Sequence, residues 1–107
     1  MGNNAFARLK GEAIREIAFG ALTNTYQQLG ADVAFVLKQI DLTNTTDADI
    51  YLTNDSTKNI WRIPAGVICK TIDLSTNNMA LVPGDQLFVK YVTAPTTGNF
   101  WVEALYT

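Results

Sequence analysis

The sequence predicts an all-β protein: an antiparallel β-sandwich, jelly-roll-like, of about eight strands with an N-terminal arm. Strand-like runs rich in β-branched and aromatic residues alternate with clusters of Thr, Asn, Asp, Pro and Gly at roughly 8–14-residue spacing, which is typical of sandwiches. After residue 30 no run has the periodicity of a helix. A chain of 107 residues built this way has no room for the crossover helices that a parallel sheet needs.

The chain divides into an arm, residues 1–12, and one β-sandwich domain, residues 13–107. A short helix over 11–19 is one alternative for the start of the domain, because Gly20 would serve as its C-terminal stop. The residues that follow are poor helix formers, which favours a strand over about 14–27 instead. We expect the arm to pack on a neighbouring molecule.

The middle of the chain alternates strands and polar turns. Residues 32–42 are apolar on both faces at first, which predicts a long strand in a central position. The turns are built from Asn, Asp, Ser and Thr, whose side chains hydrogen-bond their own backbone. After that strand the predicted elements are a turn at 43–47, a short strand at 50–52, a turn at 54–57, a returning strand at 60–63 and a stop at 64–66.

The last forty residues continue the pattern. A strong turn signal, Pro83-Gly84-Asp85, separates two strand-like regions. The final two strands are joined by a short loop, which predicts a hairpin. The predicted elements are a strand at 67–74, a turn at 75–78, a short piece at 79–82, strands at 86–92 and 99–106, and a turn between them at 95–98.

The absence of histidine removes most catalytic and metal-binding chemistry. A Ser-His-Asp or Cys-His site is impossible, and zinc sites need Cys and His in number. The single Cys cannot form an internal disulfide, which is compatible with a reducing cytosol. Because Cys69 lies in a strand-like stretch between Ile68 and Ile72, we expect it to be a small buried hydrophobic residue. We expect no enzymatic activity and no cofactor.

Charge and hydropathy argue against nucleic acid and a membrane as partners. The net charge is −2 and the eight Lys and Arg residues are scattered, so nucleic-acid binding is not expected. The longest apolar runs, such as 33–37, are far too short to cross a membrane, and the first residues lack a signal-peptide layout. Only 17% of residues are charged, while 13 are Thr and 9 are Asn. Such a surface suits close contact with neighbouring proteins.

Two binding alternatives remain open. An aromatic platform for sugars could be formed by Trp61 and Trp101 with Tyr51, Tyr91 and Tyr106, and Trp61, beside Arg62 on a short strand, is the better candidate. In β-sandwiches, however, Trp and Tyr are more often core or subunit-interface residues. The Asp47-Ala48-Asp49 run resembles the start of a calcium loop but lacks the Gly and closing Glu of an EF-hand.

A series of short sequence motifs, in a fixed order, lies within residues 17–107, about 85% of the chain. The motifs are Leu29-Gly30, the run LTNTTDADI at 42–50, IPAG at 63–66, IDLSTN at 72–77, Pro83-Gly84 with LFVK at 87–90, PTTG at 95–98 and an aromatic strand ending in Tyr106. This series resembles a group of small virion proteins from tailed bacteriophages. Residues 1–16 lie outside the resemblance.

The resemblance implies a structural β-sandwich of the virion, made in the host cytoplasm and carried on the head surface, the neck or the tail. It supplies no catalytic residues. We expect a homo-oligomeric connector or adaptor at the neck or tail, or a head-decoration protein, bound to portal, capsid, neck or tail components. A carbohydrate- or receptor-binding module is the alternative. The candidate interface residues are Phe6, Leu9, Trp61, Arg62 and Trp101.

Overall fold

The computed structural model describes residues 10–11, 14–54, 60–74 and 81–106. Over these residues the chain forms two antiparallel sheets that face each other, which confirms the predicted all-β sandwich. The strands are β1 (Lys10–Gly11), β2 (Arg15–Ala18), β3 (Gln27–Gln28), β4 (Gln39–Asn44), β5 (Ile50–Thr53), β6 (Ile60–Ile63), β7 (Val67–Asp73), β8 (Phe88–Tyr91) and β9 (Asn99–Tyr106), with one 3₁₀ turn at Phe19–Ala21.

The two sheets together have eight strand positions, in agreement with the prediction of about eight strands. Sheet A runs β1/β2-β9-β4-β7, and sheet B runs β3-β8-β5-β6. Because β1 and β2 both pair with β9, the nine described strands fill eight positions. Among the described strands after β2, β5 and β6 are the only consecutive pair that forms a hairpin, and the other consecutive strands lie in different sheets. The jelly-roll topology stays a prediction, with which this order agrees.

The core lies between the sheets. Alternate residues of the central strands β4, β5, β8 and β9 point inward, as the two-residue period of a strand requires. Burying one Leu, Ile or Phe side chain contributes about 1.5–3 kcal/mol relative to leaving it exposed. The largest completely buried side chains are Phe100, Leu29, Leu37, Ile40, Leu42, Ile50, Leu52, Ile63, Leu74, Leu81, Leu87 and Val89.

Asn44 links the two sheets at the end of β4. Its side-chain NH₂ donates to the carbonyl oxygens of Ile63 and Pro64, each at 3.1 Å, and of Ala48 at 2.9 Å. Its side-chain oxygen accepts from the backbone N–H of Thr46 at 3.0 Å and from the Thr46 hydroxyl at 2.6 Å. Asn44 is completely buried, so these bonds satisfy an amide that water cannot reach.

Arg15 is a buried cation on β2, only 5% exposed. Its guanidinium donates to the carbonyl oxygens of Ala31, at 3.2 and 3.3 Å, and of Asp32, at 3.4 Å. Gly30 makes room for it, because a Cβ there would lie 2.6 Å from Arg15 Cγ. Gly30 also has a φ of +73°, a conformation that favours glycine. The Leu29-Gly30 pair therefore positions Arg15 against the loop that follows.

The predicted strand over 14–27 is wrong, because the chain changes sheets within it. β2 ends at Ala18, and the Phe19 N–H then donates to the Gly98 carbonyl oxygen at 3.0 Å. The next residues form the 3₁₀ turn and a crossing to sheet B, where β3 pairs with β8. At the other end, Lys10 and Gly11 already pair with β9.

The predicted strand over 32–42 is wrong in its first half. β4 begins only at Gln39, although it does lie centrally, between β9 and β7. Residues 33–37 connect the two sheets and bond to residues 81–85, with one isolated bridge between Leu37 and Leu81. Phe35 and Val36 are therefore exposed, although their hydrophobicity indicated a buried strand.

The predicted hairpin of the last two strands is also wrong. β8 pairs with β3 and β5 in sheet B, whereas β9 pairs with β2 and β4 in sheet A. Residues 92–98 therefore span the two sheets, which pack about 10 Å apart, instead of forming a tight turn. Gly98 enters β9 with a φ of +90°. The predicted strands at 50–52, 60–63, 67–74 and 99–106 are confirmed, and the one at 86–92 is shorter.

Candidate functional site

Trp101 forms an apolar spot on the outer face of sheet A. It lies directly opposite Glu16 on β2 and Thr43 on β4. Its neighbours Phe100 and Val102 are completely buried, so Trp101 points away from the core, and it is half-buried there. With Ile14 and Glu16 it lines a depression of about 150 Å³, and Ile14 is 62% exposed. The face thus offers an indole and an isoleucine to an incoming apolar group.

Carboxylates surround this apolar spot. Asp41 on β4 lies directly opposite Glu103 on β9, and like charges in such pairs are unfavourable. The Asp41 carboxylate accepts from the Thr71 hydroxyl at 2.8 Å, and the Glu16 carboxylate accepts from the Asn99 side-chain NH₂ at 3.0 Å. These neutral donors leave the negative charge in place. A cationic partner on this face would relieve the repulsion.

The outer face of sheet B carries aromatic rings and cations in one row. Tyr51 on β5 lies opposite Arg62 on β6 and opposite Lys90 on β8. The Lys90 ammonium lies 5.0 Å from the centre of the Tyr26 ring, within range of a cation–π interaction. Burial, and secondarily the neighbouring Tyr51, raise the pKa of Tyr26 above its ordinary value. Tyr26 therefore presents a neutral phenol at neutral pH.

Arg62 forms a local ion pair at the end of this row. Its Nε lies 2.8 Å from an oxygen of Asp49, whose other oxygen accepts from the Ala65 backbone N–H at 3.1 Å. The side-chain hydrogen bond from Arg62 is the largest cause that lowers the Asp49 pKa, followed by the Ala65 bond. The pair is solvent-exposed, so it contributes little to stability. It does fix the Arg62 guanidinium at the surface.

A cavity of about 320 Å³ opens beside this ion pair. Asp47, Ala48, Asp49, Tyr51, Val92 and Thr93 line it. Asp47 accepts from the Thr96 backbone N–H at 2.7 Å and from the Thr96 hydroxyl. The hydroxyl bond, and then the backbone bond, lower the Asp47 pKa, so this carboxylate stays ionised. Two fixed carboxylates and a phenol ring are groups that bind hydroxyl-rich ligands.

Asp47 and Asp49, the start of the calcium-loop resemblance, serve backbone N–H groups instead. Asp47 holds Thr96 and Asp49 holds Ala65, in two different loops. Within the ranges that the structure describes, no three or more His, Cys, Asp or Glu residues are grouped so that they could hold a metal ion.

Cys69 is exposed, so the prediction of a buried side chain is wrong. It occupies a β-bulge in which Ile68 and Cys69 lie opposite the single residue Thr43. Its φ of +58° is rare for a residue other than glycine. The Cys69 N–H donates to the Thr43 hydroxyl at 3.3 Å. The bulge exposes the Cys69 side chain within a strand, and the pattern of apolar residues in the sequence does not reveal a bulge.

The three candidate interface residues that the structure describes are not brought together. Trp61 is half-buried and packs against the core from β6, while Arg62 faces outward from the same strand. Trp101 lies on the other sheet. Phe6 and Leu9 lie outside the described residues.

Asn44 and Arg15 were not singled out by sequence reasoning. Asn44 had one signal, a polar residue between an apolar strand and a Thr-rich turn, which also fits an ordinary turn. Tyr51 was predicted only as one ring of an aromatic platform with Trp61 and Trp101, and the register places it instead between Arg62 and Lys90.

No helix in the described part of the chain is long and apolar enough to span a membrane. No family model, curated protein or solved structure matches the chain.

Proposed function

We propose that this chain is a non-enzymatic virion structural protein, of the kind found in tailed bacteriophages, that assembles through contacts with copies of itself and with other virion proteins. Its place is a connector or adaptor at the neck or tail, or a decoration of the head. The resemblance of residues 17–107 is the source of the virion assignment. The composition supports a non-enzymatic role, since the chain has no histidine.

The observation that carries the assembly role is the apolar surface at places where a neighbour can pack. The Trp101–Ile14 depression lies on the outer face of sheet A. The strands β6 and β7 lie at the edges of their sheets on the same side of the sandwich, joined by the turn at 64–66. Ile60 and Ile68 on these edges are 50% and 79% exposed. Sheet edges pair readily with another chain.

Part of the β7 edge is protected against pairing with strands of other molecules, which favours a specific neighbour over aggregation. The Cys69 bulge and the exposed Lys70 interrupt its first half, and such devices block edge-to-edge aggregation. The part of β7 from Thr71 to Asp73 pairs with β4 without a bulge. A partner strand would therefore be restricted to one end of this edge.

Mass spectrometry of purified particles tests the virion assignment. Particles from the source that encodes the chain are banded on a density gradient, washed at high salt and digested. We expect peptides of this chain at a constant ratio to the major capsid protein across the band. Absence of the peptides from intact particles, with the chain present in the same lysate, would contradict the proposal.

The cavity beside Tyr51 favours one second candidate, a carbohydrate-binding module. Asp47 and Asp49 are fixed as acceptors for sugar hydroxyls, and the Tyr51 ring supplies a flat apolar surface. A glycan array probed with the full chain tests it. Tyr51→Ala should abolish binding, whereas Trp61→Phe, a change on the core side of the neighbouring strand, should not. No signal with the wild-type chain at high concentration would remove this candidate.

A further inference from the structure

We infer that the outer face of sheet A receives residues 1–9 of a neighbouring copy of the same chain, with the Trp101–Ile14–Glu16 depression as the receiving site. This inference rests on the proposed function, because it names the contact through which copies assemble. The apolar spot alone does not identify the occupant. Charge complementarity and the reach of the chain do.

The receiving face combines an apolar centre with a negative rim. The indole of Trp101 and the 62% exposed side chain of Ile14 form the centre. The carboxylates of Glu16, Asp41 and Glu103 surround it on the same sheet face. This arrangement suits a segment with an apolar side chain next to a cation, since aromatic and arginine side chains carry most of the binding energy in many interfaces.

Residues 1–9 have that composition. Residues 1–9 contain the apolar Phe6 and Leu9 with Arg8 between them, and they contain no acidic residue. Lys10 follows directly and adds a second positive charge. An Arg on this segment would meet the carboxylates of the sheet face, while Phe6 or Leu9 would meet the indole. The segment and the face are therefore complementary in both charge and hydrophobicity.

The reach of the chain favours a neighbour over the same copy. Lys10 pairs with Tyr106 at the far end of β9, five residues from Trp101. Five residues of strand span about 17 Å. Phe6 lies four residues before Lys10, so a fully extended chain would carry its Cα only about 13 Å, and the reversal needed to run back along β9 would use about two of those residues. A segment from another copy has no such limit.

A photocross-linking experiment tests the inference with the full chain. p-Benzoylphenylalanine replaces Phe6 in an isotopically light copy, which is mixed with a heavy copy of the wild-type sequence and irradiated. We expect light–heavy cross-links whose heavy peptide contains residues 14–18 or 99–103. The same photoreactive residue at position 92, on a loop exposed away from this face, is the matched control and should not capture those peptides.

Each other outcome overturns the inference. Cross-links within one copy would show that the segment folds on its own sheet, and links to β6 or β7 would place the contact at the sandwich edge. A charge test adds a readout independent of cross-linking. Arg8→Glu should weaken self-association at least tenfold, and combination with Glu103→Arg should restore at least part of it. Unchanged association of Arg8→Glu would also overturn the inference.

The two proposals fail separately. If the chain is present in virions but Arg8→Glu and removal of residues 1–9 leave its oligomer unchanged, the structural role stands and the arm contact is wrong. If the arm contact is found but the chain is absent from particles, the contact stands and the virion assignment is wrong.

Discussion

The Asn44 side-chain NH₂ donates to the Ile63 carbonyl oxygen at 3.1 Å and thereby joins a central strand of sheet A to the edge strand of sheet B. The same amide also fixes the turn that carries Asp47 and Asp49, through its bonds to Thr46 and Ala48. The cavity-lining carboxylates are therefore positioned by a buried residue that is not itself part of the cavity.

Asn44→Ala should destabilise the protein by about 2–4 kcal/mol, because it leaves several buried carbonyl and N–H groups without partners. Asn24→Ala, at an exposed position in a loop, is the matched control and should change stability by less than about 0.5 kcal/mol. Urea unfolding of both variants measures the difference. An equal, small loss in both would mean that Asn44 does not link the sheets.

Gly98→Ala should be much more costly than Gly66→Ala. Both glycines have positive φ, at +90° and +76°, so an alanine at either site adds about 1–2 kcal/mol of backbone strain. At Gly98 the new Cβ would also collide with the Thr45 backbone carbonyl, whereas at Gly66 the space is open. We expect a larger loss at Gly98 by at least about 1 kcal/mol in chemical denaturation. Equal losses would disprove the close approach of Gly98 to the Thr45 backbone.

Cys69 should react with a thiol reagent in the native protein at nearly the rate of the unfolded chain, because its side chain is exposed. Cys69→Gly should raise the free energy of unfolding by up to about 1 kcal/mol by relieving its left-handed backbone, and Cys69→Val should lower it. Slow labelling together with a destabilised Cys69→Gly would instead indicate that Cys69 is buried in a regular strand, as the sequence predicted.

The Asp47 carboxylate should contribute stability that depends on pH. Its pKa is lowered in the folded protein, mainly by the Thr96 hydroxyl. A group with a lowered folded pKa contributes above its unfolded pKa, near 4, and the contribution is lost as pH falls through the folded pKa. The stability difference between wild type and Asp47→Asn should therefore be present at pH 7 and shrink below about pH 4.

Thr96→Val supplies the control for this pH dependence. It removes the hydroxyl donor while leaving the carboxylate, so the Asp47 pKa, followed by NMR of its carboxyl carbon, should move back toward the ordinary value. A wild-type Asp47 that titrates at the ordinary value would mean that the Thr96 contact is absent in solution.

How much of this fold the sequence predicts depends on where each strand's partners lie. β5, β6 and β9 were predicted because one face of each is buried and the other is not, so alternation is visible. The stretch 33–37 has a strand-like composition, yet it bonds to another connection between the sheets and leaves Phe35 and Val36 exposed. Local composition reports β propensity but not the partner.

The pairing of strands in space also explains why the predicted hairpin was wrong and why the surroundings of Trp101 and Tyr51 were not predicted. A short loop between two strands favours a hairpin, and only tertiary packing sends β8 and β9 to different sheets. Trp101 was predicted as an interface residue, but its acidic surroundings arise from register across β2, β9 and β4. The residues beside Tyr51 are likewise assembled from separate strands and loops.

Sedimentation equilibrium of the full chain over a wide concentration range most directly tests self-assembly through specific contacts. We predict a discrete oligomer, a whole-number multiple of the 11.7 kDa chain, that dissociates on dilution and is lost when residues 1–9 are removed. A mass of 11.7 kDa at every concentration, with the sandwich folded, would contradict the account.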